Sequence, residues 1–189
     1  MNFENDIISC LEVLQSGGLI LYPTDTIWGI GCDATNEQAV DKIYKLKSRS
    51  DKKSMIILVS DEKTIFNYAE APSNNTLEYL SLAKKPTTVI YEGAKNIAQN
   101  LVSSDGTIAI RIVKEDFCKE LIDQFKKPIV STSANLSGAP SPKNFNDIPA
   151  QIKNGVDYLV QHRQDDIMNS QPSSIIKLGK DGKIEVLRS

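Results

Sequence analysis

Short apolar runs closed by proline, glycine or polar turns recur along the whole chain, and segments of helical period lie between them. The runs are GLILYP (18–23), MIILV (55–59), TTVIY (87–91), TIAIRI (107–112) and PIVST (128–132), followed by DYLV, SSIIKL and KIEVL. Their brevity, β-branched content and borders mark them as strands rather than buried helices. The intervening segments read as helices. Phe3, Ile7, Ile8, Leu11 and Leu14 share one helical face that Gly17-Gly18 ends. Asn36 caps an expected helix over Glu37 to Leu46, with Ala39, Val40, Ile43 and Leu46 on one side. Further helices are expected near 63–69, 75–83, 117–125 and 148–152.

Strands and helices interleave from end to end, so the expected fold class is α/β. Its sheet must be mixed, because Asp181-Gly182 is a hairpin signal between the last two strands. No repeat, low-complexity tract or linker interrupts the 189 residues, which read as one domain, 1–189. A chain of this length buries roughly 70% of its unfolded surface and needs no disulfide or metal staple.

Composition narrows the function. A net charge of −2 argues against a binder that meets polyanions with its whole surface, but leaves room for a local basic patch. Cys10, Cys32 and Cys118 are far apart and form no CxxC pair, which fits reduced thiols in a cytoplasmic protein. His162 is the single histidine, so zinc sites of the HExxH kind are excluded. It stands in the polar run QHRQDD, has no GxSxG nucleophile to pair with, and reads as a surface residue. The N-terminus lacks the basic and apolar regions of a leader, and no apolar run approaches the ~20 residues of a membrane span.

The segment GIGCDA (29–34) formally matches a dinucleotide-binding GxGxxA. That motif needs its glycines directly between a strand and a helix. Here Pro23 ends the strand and five residues intervene before Gly29, so glycines in a close-packed turn are the better reading. No Walker-type phosphate loop is present. Between Asp41 and Lys53, six cations stand against two carboxylates, a local +4. Such a run is either a solvated helix face or, because LKSRSDKKS leads directly into MIILV, a set of cations for polyphosphate at a strand end. SANLSGAPSP offers hydroxyls, an amide and a small-residue backbone that can approach an anion, unless it is a plain solvent loop. Arg111 lies on the face of its strand opposite Ile108, Ile110 and Ile112. If buried, it needs an anionic partner, either a carboxylate of this chain or a ligand.

These segments together resemble the YrdC-like family, the L-threonylcarbamoyladenylate synthases of tRNA modification. The resemblance is carried by YPTDTIWGIGCDA (22–34), KLKSR (45–49), TIAIRI, PIVSTSANLSGAPSP (128–142), PSSII (172–176) and VLR (186–188), in the family's order. It implies an open twisted sheet flanked by helices with a concave basic face, in the short form with one catalytic domain. It also implies a reaction: L-threonine, bicarbonate or CO2, and ATP give threonylcarbamoyl-AMP and pyrophosphate. A downstream threonylcarbamoyl transferase complex then modifies adenosine 37 of tRNA.

By the same resemblance, Lys47, Arg49, Ser133 and Asn135 form the catalytic quartet. Arg49, Lys53, Thr107, Ser133, Ser141 and Arg188 would contact ATP, and Thr26, Arg111, Ser131 and Ser173 would hold threonine. Mg²⁺ would enter with the triphosphate rather than sit in a protein cage. The chain departs from the family's pattern at Trp28, Ser48, Ser50, Leu58, Lys84-Lys85 and Ser174. Two other readings remain at this stage. One is a non-catalytic module for tRNA or double-stranded RNA, and the other is a diverged paralogue that transfers a different acyl group.

Overall fold

The computed structural model describes residues 3–48, 55–70, 83, 85–167, 171–178 and 184–189. Helix α1 (Glu4–Gln15) buries Ile7, Cys10 and Leu14 and gives way to Gly17, whose φ of +73° suits a residue without a Cβ. Then follow β1 (Ile20–Tyr22), β2 (Gly29–Gly31), α2 (Glu37–Leu46), β3 (Ile56–Val59), α3 (Glu62–Ile65) and β4 (Thr87–Tyr91). The remaining elements are β5 (Ile108–Ile112), α4 (Asp116–Phe125), β6 (Ile129–Ser133), α5 (Ala150–Asn154), β7 (Tyr158–Leu159), β8 (Ser174–Leu178) and β9 (Ile184–Arg188).

The strands form one mixed sheet in the order β7-β1-β2-β6-β3-β5-β4-β8-β9. The pairs β1–β7, β3–β5 and β4–β8 are parallel, and the others, including the expected β8–β9 hairpin, are antiparallel. Tyr22, Ile57, Leu58 and Phe117 are among the fully buried side chains of the core. α1 meets α4 through Phe3 and Phe117, edge to face at 5.6 Å. Among the described residues no helix is long and apolar enough to cross a membrane.

The structure corrects the reading of GIGCDA. Gly29–Gly31 is a strand, β2, and not a turn. A Cβ on Gly31 would lie 2.6 Å from Tyr22 Cε1 and 2.8 Å from Val130 O, so the glycine makes room for a tyrosine ring lying across the strand. Close packing selects the residues here, and the apolar alternation that announces a strand is absent. The helix expected at 63–69 is the shorter α3, capped by Asp61, which accepts from Thr64 N. The helix expected at 148–152 begins two residues later, after Pro149 at its N-cap. The one expected at 75–83 falls outside the described residues except for residue 83.

His162 is also corrected. Its side chain is only 9% exposed, with Nε2 3.6 Å from Glu115 and the ring 5.1 Å from that of Phe3. The polar neighbours suggested a surface position, but Asp6 draws the segment inward. Buried in α1, Asp6 accepts from Tyr158 Oη (2.7 Å), Gln161 N (2.9 Å) and His162 N (2.9 Å). Burial, and next this bond to Asp6, push the Tyr158 phenol up to about 12.

Candidate active site

The β1–β2 turn, the end of β6, the start of β3 and the start of β8 surround a pocket of about 220 Å³. Its lining includes Thr26, Trp28, Met55, Arg111, Ser131, Ser133, Ser141, Ser173 and Arg188. Seven residues singled out in the sequence, Thr26, Arg111, Ser131, Ser133, Ser141, Ser173 and Arg188, therefore share one cavity.

Each is aimed by the sheet. Register pairs β6 with both β2 and β3, so Ser131 and Ser133 lie on the central strand of that end, with Ser133 opposite Gly29. β5 runs parallel to β3 and brings Arg111 opposite Leu58. Arg111 Nη2 lies 2.9 Å from Asp25 Oδ1, and both side chains are nearly sealed from solvent. The pair has ion-pair distance but poor hydrogen-bond angle: among the described residues both Asp25 oxygens and Arg111 Nε lack a hydrogen-bond partner. Both readings of Arg111 are thus realised in part, since it has a carboxylate of its own chain and also lines the pocket.

Arg188 enters from β9. Its Nε donates to Ser173 O at 2.9 Å, and Ser173 Oγ is 2.8 Å from Thr88 Oγ1. Burial, and after it the Arg111 guanidinium, lower the Arg188 pKa from the usual arginine value. Two guanidinium groups that repel each other across a pocket of hydroxyls form a site for an anion.

Lys47 joins the end of α2 to the loop after β6. At the C-cap of α2 it is buried, and its ammonium donates to the carbonyls of Ser133 and of Asn135, the latter at 2.6 Å. Ser137 N returns a bond to Lys47 O at 3.1 Å. The exit of the basic helix and the serine-lined bend are therefore fastened together. Ser48 follows at φ +49°, in the left-handed region that favours glycine.

Other expected residues lie elsewhere. Asn135 stands outside the lining, donating from Nδ2 to Leu136 O (2.9 Å) and Ala139 O (2.6 Å), while its Oδ1 is buried without a partner among the described residues. Thr107 is also outside it, its hydroxyl donating to Asp105 Oδ1 at 2.6 Å. Arg49, Lys53, Ser50 and Lys84 lie outside the described residues. Leu58 is a core residue and Ser174 begins β8. Trp28 packs on Phe145 at 4.9 Å, and Lys153 Nζ stands 4.3 Å from the Phe145 ring centroid. Sequence reasoning gave no role to Asp25 and did not find Thr24 as the hub of its turn. The acidic residue inside a PTDT turn was the available signal for Asp25.

Known proteins match this chain in sequence and in fold. The model of the Sua5/YciO/YrdC family, described as telomere recombination, matches residues 12–189. The threonylcarbamoyl-AMP synthase of Pseudoalteromonas translucida is 32% identical over 187 residues, covering 97% of this chain and 98% of that protein. P. abyssi Sua5 in complex with L-threonine superposes with a TM-score of 0.84 at 23% identity, over 98% of this chain and 54% of the other. The chain thus spans about half the length of that solved relative. E. coli YciO superposes with a TM-score of 0.84 at 22% identity, over 98% of this chain and 89% of the other. These two superpositions establish a common fold.

Proposed function

The chain belongs to the Sua5/YciO/YrdC family, and from that membership we propose that it is a threonylcarbamoyl-AMP synthase, a nucleotidyltransferase that adenylates threonylcarbamate. The observation that carries the proposal is the convergence of Arg111, Arg188 and a ring of hydroxyls on one pocket, to whose wall Lys47 is bonded through the carbonyl of Ser133. An amino acid and a nucleotide both bring anions, and the pocket offers cations and donors for both.

The chemistry asks for positioning rather than a covalent nucleophile. The neutral amine of threonine attacks CO2 and loses a proton to give a carbamate. A carbamate oxygen then attacks the α-phosphorus of ATP in line, and pyrophosphate leaves with the bonding electron pair. Arg111 would take the threonine carboxylate, with Thr26, Ser131 and Ser173 around the rest of the amino acid. Arg188, Ser133 and Ser141 would meet the nucleotide, assisted by Arg49, Lys53 and Thr107. Lys47 and Asn135 would hold the bend in place and set its charge beneath the phosphates. Mg²⁺ would enter with ATP as part of the substrate, supplying charge to offset that of the phosphates. The product would pass to a transferase complex acting on adenosine 37 of tRNA. The three buried, unpaired cysteines suit a reducing compartment, the cytoplasm.

Incubation of the pure protein with ATP, bicarbonate and threonine is expected to yield the mixed anhydride by mass spectrometry and pyrophosphate in proportion. Lys47→Ala and Arg49→Ala are each expected to lower turnover by about a hundredfold or more. Undiminished turnover in both would remove their phosphate role. RNA binding without any anhydride would instead favour the non-catalytic reading.

A further inference from the structure

We propose that Arg163 is a positioning residue for the amino-acid subsite, fixing the height of the PTDT turn, and with it Thr26, against Arg111. The inference rests on the synthase reading. Three consecutive residues of the turn are each gripped from behind by a different segment. Cys118 of α4 donates its thiol proton to Pro23 O at 3.1 Å. Arg163 Nη1 donates to Thr24 O at 3.1 Å. Arg111 of β5 pairs with Asp25 at 2.9 Å. Thr24 passes the constraint onward: its hydroxyl donates to Ile27 O (2.8 Å), accepts from Thr26 N (3.1 Å) and lies 2.9 Å from Thr26 Oγ1. A displaced Thr24 carbonyl therefore carries Thr26 with it.

The first and third grips come from buried residues on regular elements. Arg163 is different. It sits in the irregular segment after β7, its side chain is 27% exposed, and its φ is +66°. A long side chain occupies that left-handed region only where its surroundings over-determine it. Here they do: Asp6 holds the amides of Gln161 and His162, just before it. Asp166 takes Arg163 Nε at 2.6 Å, and Glu115 lies 3.9 Å from Nη1. Two carboxylates thus aim the guanidinium at the Thr24 carbonyl, making a charge-assisted hydrogen bond. Arg163 also lines a narrow crevice with Thr24, Thr26 and Trp28, and the last two belong equally to the main pocket.

Arg163→Gly removes the guanidinium and relieves the left-handed backbone at once. In a pyrophosphate-release assay its KM for threonine is expected to rise about tenfold, the loss of one charge-assisted hydrogen bond. KM for ATP and kcat are expected to stay within about twofold. Arg163→Lys, which keeps a cationic donor, is expected to lie between that variant and the wild type. An unchanged threonine KM in an active Arg163→Gly enzyme overturns the positioning role and leaves the synthase reading intact. So does a parallel worsening of both KM values and kcat, which is the mark of general destabilisation. A wild-type protein with no threonine-dependent pyrophosphate release overturns both.

Discussion

Asp6 is a buried carboxylate whose charge is met by two backbone amides and a phenol rather than by a cation. Its place in the first turn of α1 adds the favourable end of the helix dipole. Asp6→Ala would take the acceptor from two part-buried amides and a phenol, at about 3 kcal/mol. Tm, followed by circular dichroism, is expected to drop by on the order of 10 °C. Such residues explain what was and was not legible in the sequence. Arg111, Ser131, Ser133 and Arg188 were found because their motifs travel as local strings. Asp6 and Arg163 were not, because their partners lie more than a hundred residues away in the chain and nothing in the local pattern records them. The polar run QHRQDD pointed outward.

At the scale of elements, strands with β-branched alternation were readable and the glycine strand was not. β2 exists because Gly31 admits the Tyr22 ring beside Val130 O. Gly31→Ala would force a methyl into atoms 2.6 and 2.8 Å away. It is expected to cost about 2 kcal/mol, the scale of overpacking in a closed core. The urea midpoint checks this, with the slope m unchanged. The same shift is expected to disturb Ser133, which β2 faces through Gly29, so threonine-dependent turnover should fall along with stability. α2 shows the opposite case: its cap at Asn36, whose side chain accepts from Ala39 N, follows the sequence signal residue for residue.

For the whole molecule, burial raises the pKa of Cys10, Cys32 and Cys118, with the carboxylates Asp6, Asp33 and Glu115 respectively adding to it. The native thiols stay protonated where those of the unfolded chain ionise. Because the folded pKa is the higher one, this contribution is complete below the unfolded value of about 8.5 and is lost as pH rises past it. Urea midpoints are therefore expected to decline between pH 8 and 10, with the native thiols still unreactive toward iodoacetamide. An unchanged midpoint over that range would count against the burial of all three. The pocket itself draws on the turn near the chain's beginning, on β5 and β6, and on Arg188 of the final strand. A polypeptide emerging from the ribosome thus lacks part of the pocket's lining until Arg188 has been made. A product cut short before Arg188 would carry Arg111 in the hollow without its second guanidinium, and the cavity would open on that side.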